Sequence, residues 1–232
     1  MEKLLNLYRQ IIDDKSCPLE ISEAGNSDKL SLCIKNHPNP VSITETEFKY
    51  LYDYIIKHNY KNGYELATAF GISALAAGLA LKQNGGRLIS IDSYIEEKYN
   101  DAGGYHDKKD IVTNSDGYKT ATYLINKFNC NDTVTLKIGR SPDNIEEILS
   151  GYLTDDKLDY VFIDAEHRDQ AIIQDLTVLL PHISPNATIF AHDIHCFTDK
   201  FHEFILATFN KKFETVIDMT LGYNLSKIDL GE

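Results

Sequence analysis

The stretch Tyr64-Glu65-Leu66-Ala67-Thr68-Ala69-Phe70-Gly71-Ile72-Ser73 decides the fold. Its first three residues read as a short strand. Small residues at 67, 69 and 71 let the backbone approach a ligand closely, and Ser73 opens a helix whose N-terminus points at that ligand. The helix, Ser73–Lys82, is apolar nearly all round, as a helix buried against a sheet must be. Asn84-Gly85-Gly86 stops it, and Arg87–Asp92 reads as the next strand.

Working outward, the same alternation continues in both directions. Upstream, Thr44-x-x-Glu47 is a capping box opening a helix through His58, with Phe48, Leu51, Tyr52 and Ile55 on one face. Downstream, Gly117–Phe128 is helical and Thr133–Ile138 is a strand. Ser141 followed by Pro142 has the form of an N-cap with proline at the first helical position. Leu158–Ile163 is a strand, Asp169–Leu180 a helix ended by Pro181, Thr188–Ala191 a strand and Asp199–Phe209 a last helix. Two closing strands, near Glu214–Met219 and Tyr223–Ile228, are joined by a short glycine-containing turn and pair as a hairpin. Strands alternating with helices mean a mostly parallel α/β sheet with helices on both faces, and ligands bind outside the carboxyl ends of its strands. Residues 1–43 lack the repeat and are expected to form a cap or dimer arm, with a strand near Leu30–Ile34. Residues 93–116 are too long and too polar for a plain connection and read as a functional loop, in which Tyr94, Tyr99 and Tyr105 suit stacking on a ring.

Composition narrows the partners. A chain of 232 residues with 43% hydrophobic residues fits one such domain. A net charge of −12 argues against nucleic acid, because a phosphate backbone needs a basic face. No apolar run is long enough for a membrane span. Met1 to Asp14 is charged and amphipathic rather than a secretory signal, so a cytoplasmic location is expected. Cys17, Cys33, Cys130 and Cys196 are too scattered for a zinc site and read as reduced thiols.

The residues just after each strand carry the chemistry. Glu65 is out of place beside a pyrophosphate, but beside the cationic methionine portion of S-adenosylmethionine it makes electrostatic sense. The dinucleotide motif G-x-G-x-x-G is absent. Asp92 can accept hydrogen bonds from ribose hydroxyls, although dinucleotide enzymes put an acid there too. Ser141 is accounted for equally well by an adenine contact or by a helix cap. Asp164-Ala165-Glu166-His167 and His192-Asp193 follow two strands that, as neighbours, bring Asp164 and Asp193 to one rim, close enough to share a divalent metal. His167, one helical-type turn past Asp164, faces the same spot as a base, and His192 and His195 add ligands or bases.

From about Thr44 to the end, the chain resembles the bacterial class I methyltransferases of methyltransferase family 24. These are relatives of catechol O-methyltransferase and the macrolide-sugar O-methyltransferases. The resemblance is carried by Glu65-Leu66…Gly71-Ile72-Ser73, Gly139-Arg140-Ser141-Pro142-Asp143, Phe162-Ile163-Asp164-Ala165-Glu166-His167 and Ala191-His192-Asp193, in that order. It implies a doubly wound, mostly parallel seven-stranded sheet closed by an antiparallel hairpin. It also implies an S-adenosylmethionine site formed by Glu65, Ala67, Thr68, Gly71, Ser73, Asp92, Ser141 and Asp164. By the same resemblance Asp164 and Asp193, with His192 beside them, would hold magnesium or manganese, and His167 would be the catalytic base. Two residues depart from the family pattern: Ala67 stands where many members have glycine, and His192 where metal-dependent members have Asp or Glu.

The implied activity is methylation of a hydroxyl on a small molecule or sugar, in a protein with no nucleic-acid or membrane partner that can assemble as a homo-oligomer. A metal-free O- or N-methyltransferase, an NAD-dependent oxidoreductase and a non-catalytic binding module remain the alternatives at this point. The expected division of the chain is an extension over 1–43 and a cofactor-binding domain over 44–232.

Overall fold

Alternating helix-period and strand-period stretches become seven α-helices and nine strands among the described residues of the protein, whose structure is a computed structural model. It describes residues 2–18, 21–24, 31–34, 43–92, 114–139, 141–143, 145–153, 156–165, 167–218 and 224–231. In chain order these are α1 (Glu2–Ile12), β1 (Ile21–Ala24), β2 (Ser31–Ile34), α2 (Glu45–His58), β3 (Asn62–Leu66), α3 (Ile72–Asn84), β4 (Arg87–Asp92) and α4 (Asn114–Lys127). Then follow β5 (Val134–Ile138), α5 (Ile145–Ser150), β6 (Leu158–Ile163), α6 (Asp169–Leu179), β7 (Ile183–His192), α7 (Asp199–Phe209), β8 (Glu214–Asp218) and β9 (Asn224–Asp229). The 93–116 loop, with its three tyrosines, lies outside the described residues from 93 to 113, as do Arg140, Glu166 and the turn at 219–223.

The main sheet has seven strands in the order β5-β4-β3-β6-β7-β9-β8. The first five run parallel, and β9 lies antiparallel to both β7 and β8. The chain winds outward from β3 to β5, then returns to lay β6 on the other side of β3. That reversal opens a crevice at the carboxyl ends of β3 and β6, the place where sheets of this kind take ligands.

Period-two alternation sorts the strands onto two cores. Tyr160, Phe162 and Phe190 face a layer with Phe48, Leu51 and Ile55 of α2, the apolar face of α3 and Leu124 of α4. Val161, Ile163, Ile189 and Ala191 face the other layer, with Ile145 of α5, Ile172 and Leu176 of α6, and Phe201 of α7. The expected all-round burial of α3 is present from Ile72 through Gly78. Burial on both sides places its N-terminus firmly over the crevice.

α1 joins the first of these layers. The Tyr8 hydroxyl donates to Ile43 O at 2.7 Å, and its ring meets Phe48 edge-on at 5.5 Å. Asp14 accepts hydrogen bonds from Tyr123 (2.7 Å) and from Lys127 of α4. β1 and β2 pair with each other in a separate two-stranded sheet. No helix among the described residues is long and apolar enough to cross a membrane. Cys17, Cys130 and Cys196 form no disulfide.

Candidate active site

The loop after β3 is built from hydrogen bonds that leave its backbone tightly folded. Ala67 N and Thr68 N both donate to Ile91 O, at 2.9 and 3.3 Å, and Asp164 N donates to Leu66 O at 3.2 Å. Three residues in five take the left-handed region: Ala67 (φ 71°), Ala69 (φ 45°) and Gly71 (φ 80°). At Gly71 glycine is required twice over, since a Cβ would also lie 2.7 Å from Ala121 Cβ. Ala67 sits in a left-handed conformation that glycine adopts freely, so it holds strain that a glycine would not. Gly71 is the N-cap of α3 and offers no side-chain cap to the first backbone N–H groups of that helix.

Below this loop lies Glu65, almost wholly buried. Ser90, its register partner on β4, donates to Oε2, and the Thr68 and Ser90 hydroxyls are 2.6 Å apart. Oε1 has no partner at all. Desolvation pushes the Glu65 carboxyl up to about 8; Asp164 and Asp92 add to the rise, and hydrogen bonds from Ser73 and Ser90 only partly oppose it. A carboxylate in this state lacks a cation. Asp92, at the end of β4, accepts from Ala69 N at 2.9 Å, so it braces the loop. Ser90 was not singled out in the sequence, although a lone hydroxyl inside Leu88-Ile89-Ser90-Ile91 is the signal that would have found it.

Ser141 does not cap α5, which begins only at Ile145. Its hydroxyl proton is given instead to Asp175 of α6. Asp175 is 4% exposed, and burial raises its carboxyl to about 6 despite that hydrogen bond. The helical-cap account of Ser141 is therefore corrected: a buried acceptor on a distant helix takes the proton a cap would not need. The signal for Asp175 was a carboxylate on the apolar stripe of Ile172, Leu176 and Leu179.

The second half of the site stands at the ends of β6 and β7. Their pairing, Ile163 against Ala191, brings Asp164 and Asp193 together. His167 Nε2 lies 3.8 Å from Asp164 Oδ1 and 3.9 Å from Asp193 Oδ2. Asp164, His167 and Asp193 each present one atom within 4.8 Å of the others, a spacing that suits a metal ion. His192 approaches the same carboxylates from the buried side, with Nδ1 at 3.3 Å from Asp193 Oδ1 and 3.6 Å from Asp164 Oδ1. Neither approach is aligned as a hydrogen bond, so His192 Nδ1 and Asp193 Oδ1 are both buried without a partner. The other nitrogen, Nε2, meets Glu47 Oε1 of α2 at 3.1 Å. Burial alone would lower the His192 pKa, but the Asp164, Asp193 and Glu47 carboxylates outweigh it and hold the ring well above its usual range. Asp193 takes a left-handed backbone (φ 55°), a conformation aspartate tolerates.

The two histidines differ in freedom. His192 is buried, while His167 is 38% exposed with its ring 6.0 Å from Phe197. His195 stands apart from this group, with Nε2 3.4 Å from Cys196 Sγ at the surface. Glu47 was read in the sequence only as part of a capping box; nothing in the pattern connects it to a residue 145 positions away.

Known proteins share the fold that carries this site. Solved structures of the same fold include an O-methyltransferase from Bacillus cereus in complex with S-adenosylhomocysteine, 19% identical, covering 80% of each chain with a TM-score of 0.60. The O-methyltransferase TomG from Streptomyces achromogenes, in complex with S-adenosylmethionine, is 16% identical over 81% of this chain and 80% of its own, with a TM-score of 0.61. A methyltransferase from Podospora anserina, bound to S-adenosylhomocysteine, is 12% identical over 84% and 82%, with a TM-score of 0.57. No curated protein matches the chain. The family model described as a methyltransferase domain matches residues 65–194, more than half of the 232 residues and the whole run from Glu65 past Asp193. The chain therefore belongs to methyltransferase family 24, among the class I methyltransferases that use S-adenosylmethionine.

Proposed function

We propose that the chain transfers the methyl group of S-adenosylmethionine to a hydroxyl of a small molecule or sugar, with help from a divalent ion. The observation that carries this reading is the half-buried Asp164 beside the buried Asp193, between two imidazoles and one strand away from the Glu65 loop. Two devices side by side serve hydroxyl methylation: a cation that acidifies the acceptor hydroxyl and a base that takes its proton.

The cofactor residues are Glu65, Ala67, Thr68, Gly71, Ser73, Asp92, Ser141 and Asp164. Glu65 fits a cationic ligand because its Oε1 is buried and unpartnered. The uncapped N-terminus of α3 suits the ligand's carboxylate. Asp92 keeps acceptor capacity for ribose hydroxyls, and Ser141 keeps its lone pairs after giving its proton to Asp175. The bound cofactor supplies an electrophilic methyl on sulfur, and the protein's task is to align the acceptor with it.

Asp164, Asp193 and His192 are the proposed metal ligands. The fit rests on His192 Nδ1 and Asp193 Oδ1, two buried polar atoms that face each other without a hydrogen bond. A mixed oxygen and imidazole set suits manganese better than magnesium. A divalent ion there would lower the pKa of a chelated hydroxyl. His167, partly open to solvent and beside both carboxylates, then removes the acceptor proton and returns it to water.

A metal-independent reading has one observation in its favour. A protonated His192 already offsets part of the charge of Asp164 and Asp193. Exhaustive chelation separates the two readings, since full activity afterwards leaves His167 as sole activator. The cofactor assignment is tested by calorimetry with S-adenosylhomocysteine: Glu65→Ala and Asp92→Ala should each weaken binding markedly, and unchanged affinity in both would remove it.

A further inference from the structure

We infer that Glu47, at the start of α2, is a positioning residue for the metal site: one of its oxygens caps the helix while the other sets the His192 ring so that Nδ1 faces Asp164 and Asp193. The inference rests on the reading that an ion binds there.

The two oxygens of Glu47 have separate partners. Oε2 accepts from Thr44 N at 2.7 Å and from Thr44 Oγ1 at 2.9 Å. Oε1 faces His192 Nε2 at 3.1 Å. Glu47 is 1% exposed, far more buried than a helix cap requires. The cap itself does not ask for a charge, because glutamine serves equally well at that position. The charge matters for His192. An ionised carboxylate only accepts, so it requires a proton on Nε2 and leaves Nδ1 of a neutral ring bare.

A bare Nδ1 is a ligand atom, and here it looks at two more acceptors. His192 Nδ1 and Asp193 Oδ1 face each other at 3.3 Å without a hydrogen bond. Acceptors so placed need a positive charge between them, a proton in the ion-free protein and the ion itself once bound. A carboxylate behind a ligating imidazole fixes its tautomer and orientation and raises its basicity. Glu47 supplies this from outside the segment that the family model matches, since that segment begins at Glu65. α2 is thereby tied to the site by a bond that the capping role alone does not explain.

Glutamine at 47 separates the two roles. Its carbonyl must stay with Thr44 N, so its amide N–H₂ turns to His192 Nε2 and forces the proton onto Nδ1, which closes the ligand position. Thr44→Ala does the opposite, losing the side-chain cap and leaving the Glu47–His192 contact.

The test titrates manganese alone into the full-length wild type, E47Q and T44A, by calorimetry and by electron paramagnetic resonance. NMR of the imidazole nitrogens reads which His192 nitrogens carry protons in the same proteins without the ion. E47Q should weaken manganese about tenfold to a hundredfold, leave the His192 ring with its proton on Nδ1 alone where the ion-free wild type also carries one on Nε2, and melt near the wild-type temperature. T44A should melt lower and bind manganese as the wild type does. Wild-type affinity in E47Q overturns the role of Glu47 and leaves the metal reading standing. Equal losses in T44A and E47Q overturn it as well, since that is what a purely structural role produces. A wild-type protein that does not bind manganese overturns both the inference and the metal reading beneath it.

Discussion

Glu65→Gln is the substitution whose consequences the site defines most sharply. The side chain keeps its shape and loses its charge. In the ligand-free protein the Glu65 carboxyl is raised from 4.5 to about 8, because burial strips its water, Oε1 has no partner, and Asp164 and Asp92 stand near. The folded protein therefore binds this proton more tightly than the unfolded chain does. Its contribution to stability is fully present below the unfolded value and is lost as pH rises through the folded one, here from about 4.5 to about 8. At about 1.4 kcal/mol per pH unit, the cost of ionising Glu65 in place reaches about 5 kcal/mol above that window. Burial is complete, so solvent screening does not shrink this figure as it would at the surface.

Urea denaturation of ligand-free wild type and E65Q across the same pH range isolates the effect, because every other titrating group is shared. The difference in unfolding free energy should shift in favour of E65Q by several kcal/mol between the acid and the alkaline ends. In the presence of S-adenosylmethionine the order reverses in affinity. The wild type gains a counter-charge on Glu65, whereas E65Q binds the cation more weakly. Parallel stability curves for the two proteins would refute the argument, since they would mean that Glu65 is already solvated or paired. An E65Q protein that destabilises steadily with rising pH relative to wild type would refute its sign.

Ala67→Gly should raise stability by up to about 1 kcal/mol by thermal denaturation, as the relief of a left-handed alanine exceeds the added freedom of the unfolded chain; a lower melting temperature counts against strain at this turn. Asp175→Asn should stabilise the protein by about 2–3 kcal/mol above about pH 6, and progressively less as pH falls toward 3.8, because the buried carboxyl is raised to about 6. A stability loss at alkaline pH would show that Ser141 needs the charge of Asp175. His167→Ala should cost at least about a hundredfold in kcat once an acceptor is in hand, the low end for a positioned base. It should leave S-adenosylhomocysteine affinity unchanged in calorimetry, and a smaller loss in turnover would move the proton-accepting role elsewhere.

What the sequence made legible is what depends on periodicity and on strand ends. β4 and β6 run from Arg87 to Asp92 and from Leu158 to Ile163, as their apolar runs imply, and α2 begins behind Thr44 with both halves of its capping box formed. β7 is longer than the apolar run that announced it, starting at Ile183 rather than Thr188. A strand can begin in polar residues such as Ser184 and Asn186 when only its later half, Ala187 to His192, is buried. The convergence of Asp164 and Asp193 followed from topology alone, because neighbouring parallel strands must end at the same rim. The partners of those residues did not follow. Ser141 gives its proton to Asp175 on another helix, and His192 meets Glu47 on a helix far earlier in the chain. Such pairings are set by how helices lie across the sheet, and local patterns do not encode that. A polar residue inside an apolar pattern is the local trace they leave: Ser90 within β4, Asp175 on the buried stripe of α6, Glu47 buried at a helix start. Each of these three hydrogen-bonds to or closely faces a residue already marked as functional, respectively Glu65, Ser141 and His192. At these three positions a buried polar residue that the periodicity does not call for points to the shell that holds the site, even where its partner lies out of reach of the pattern.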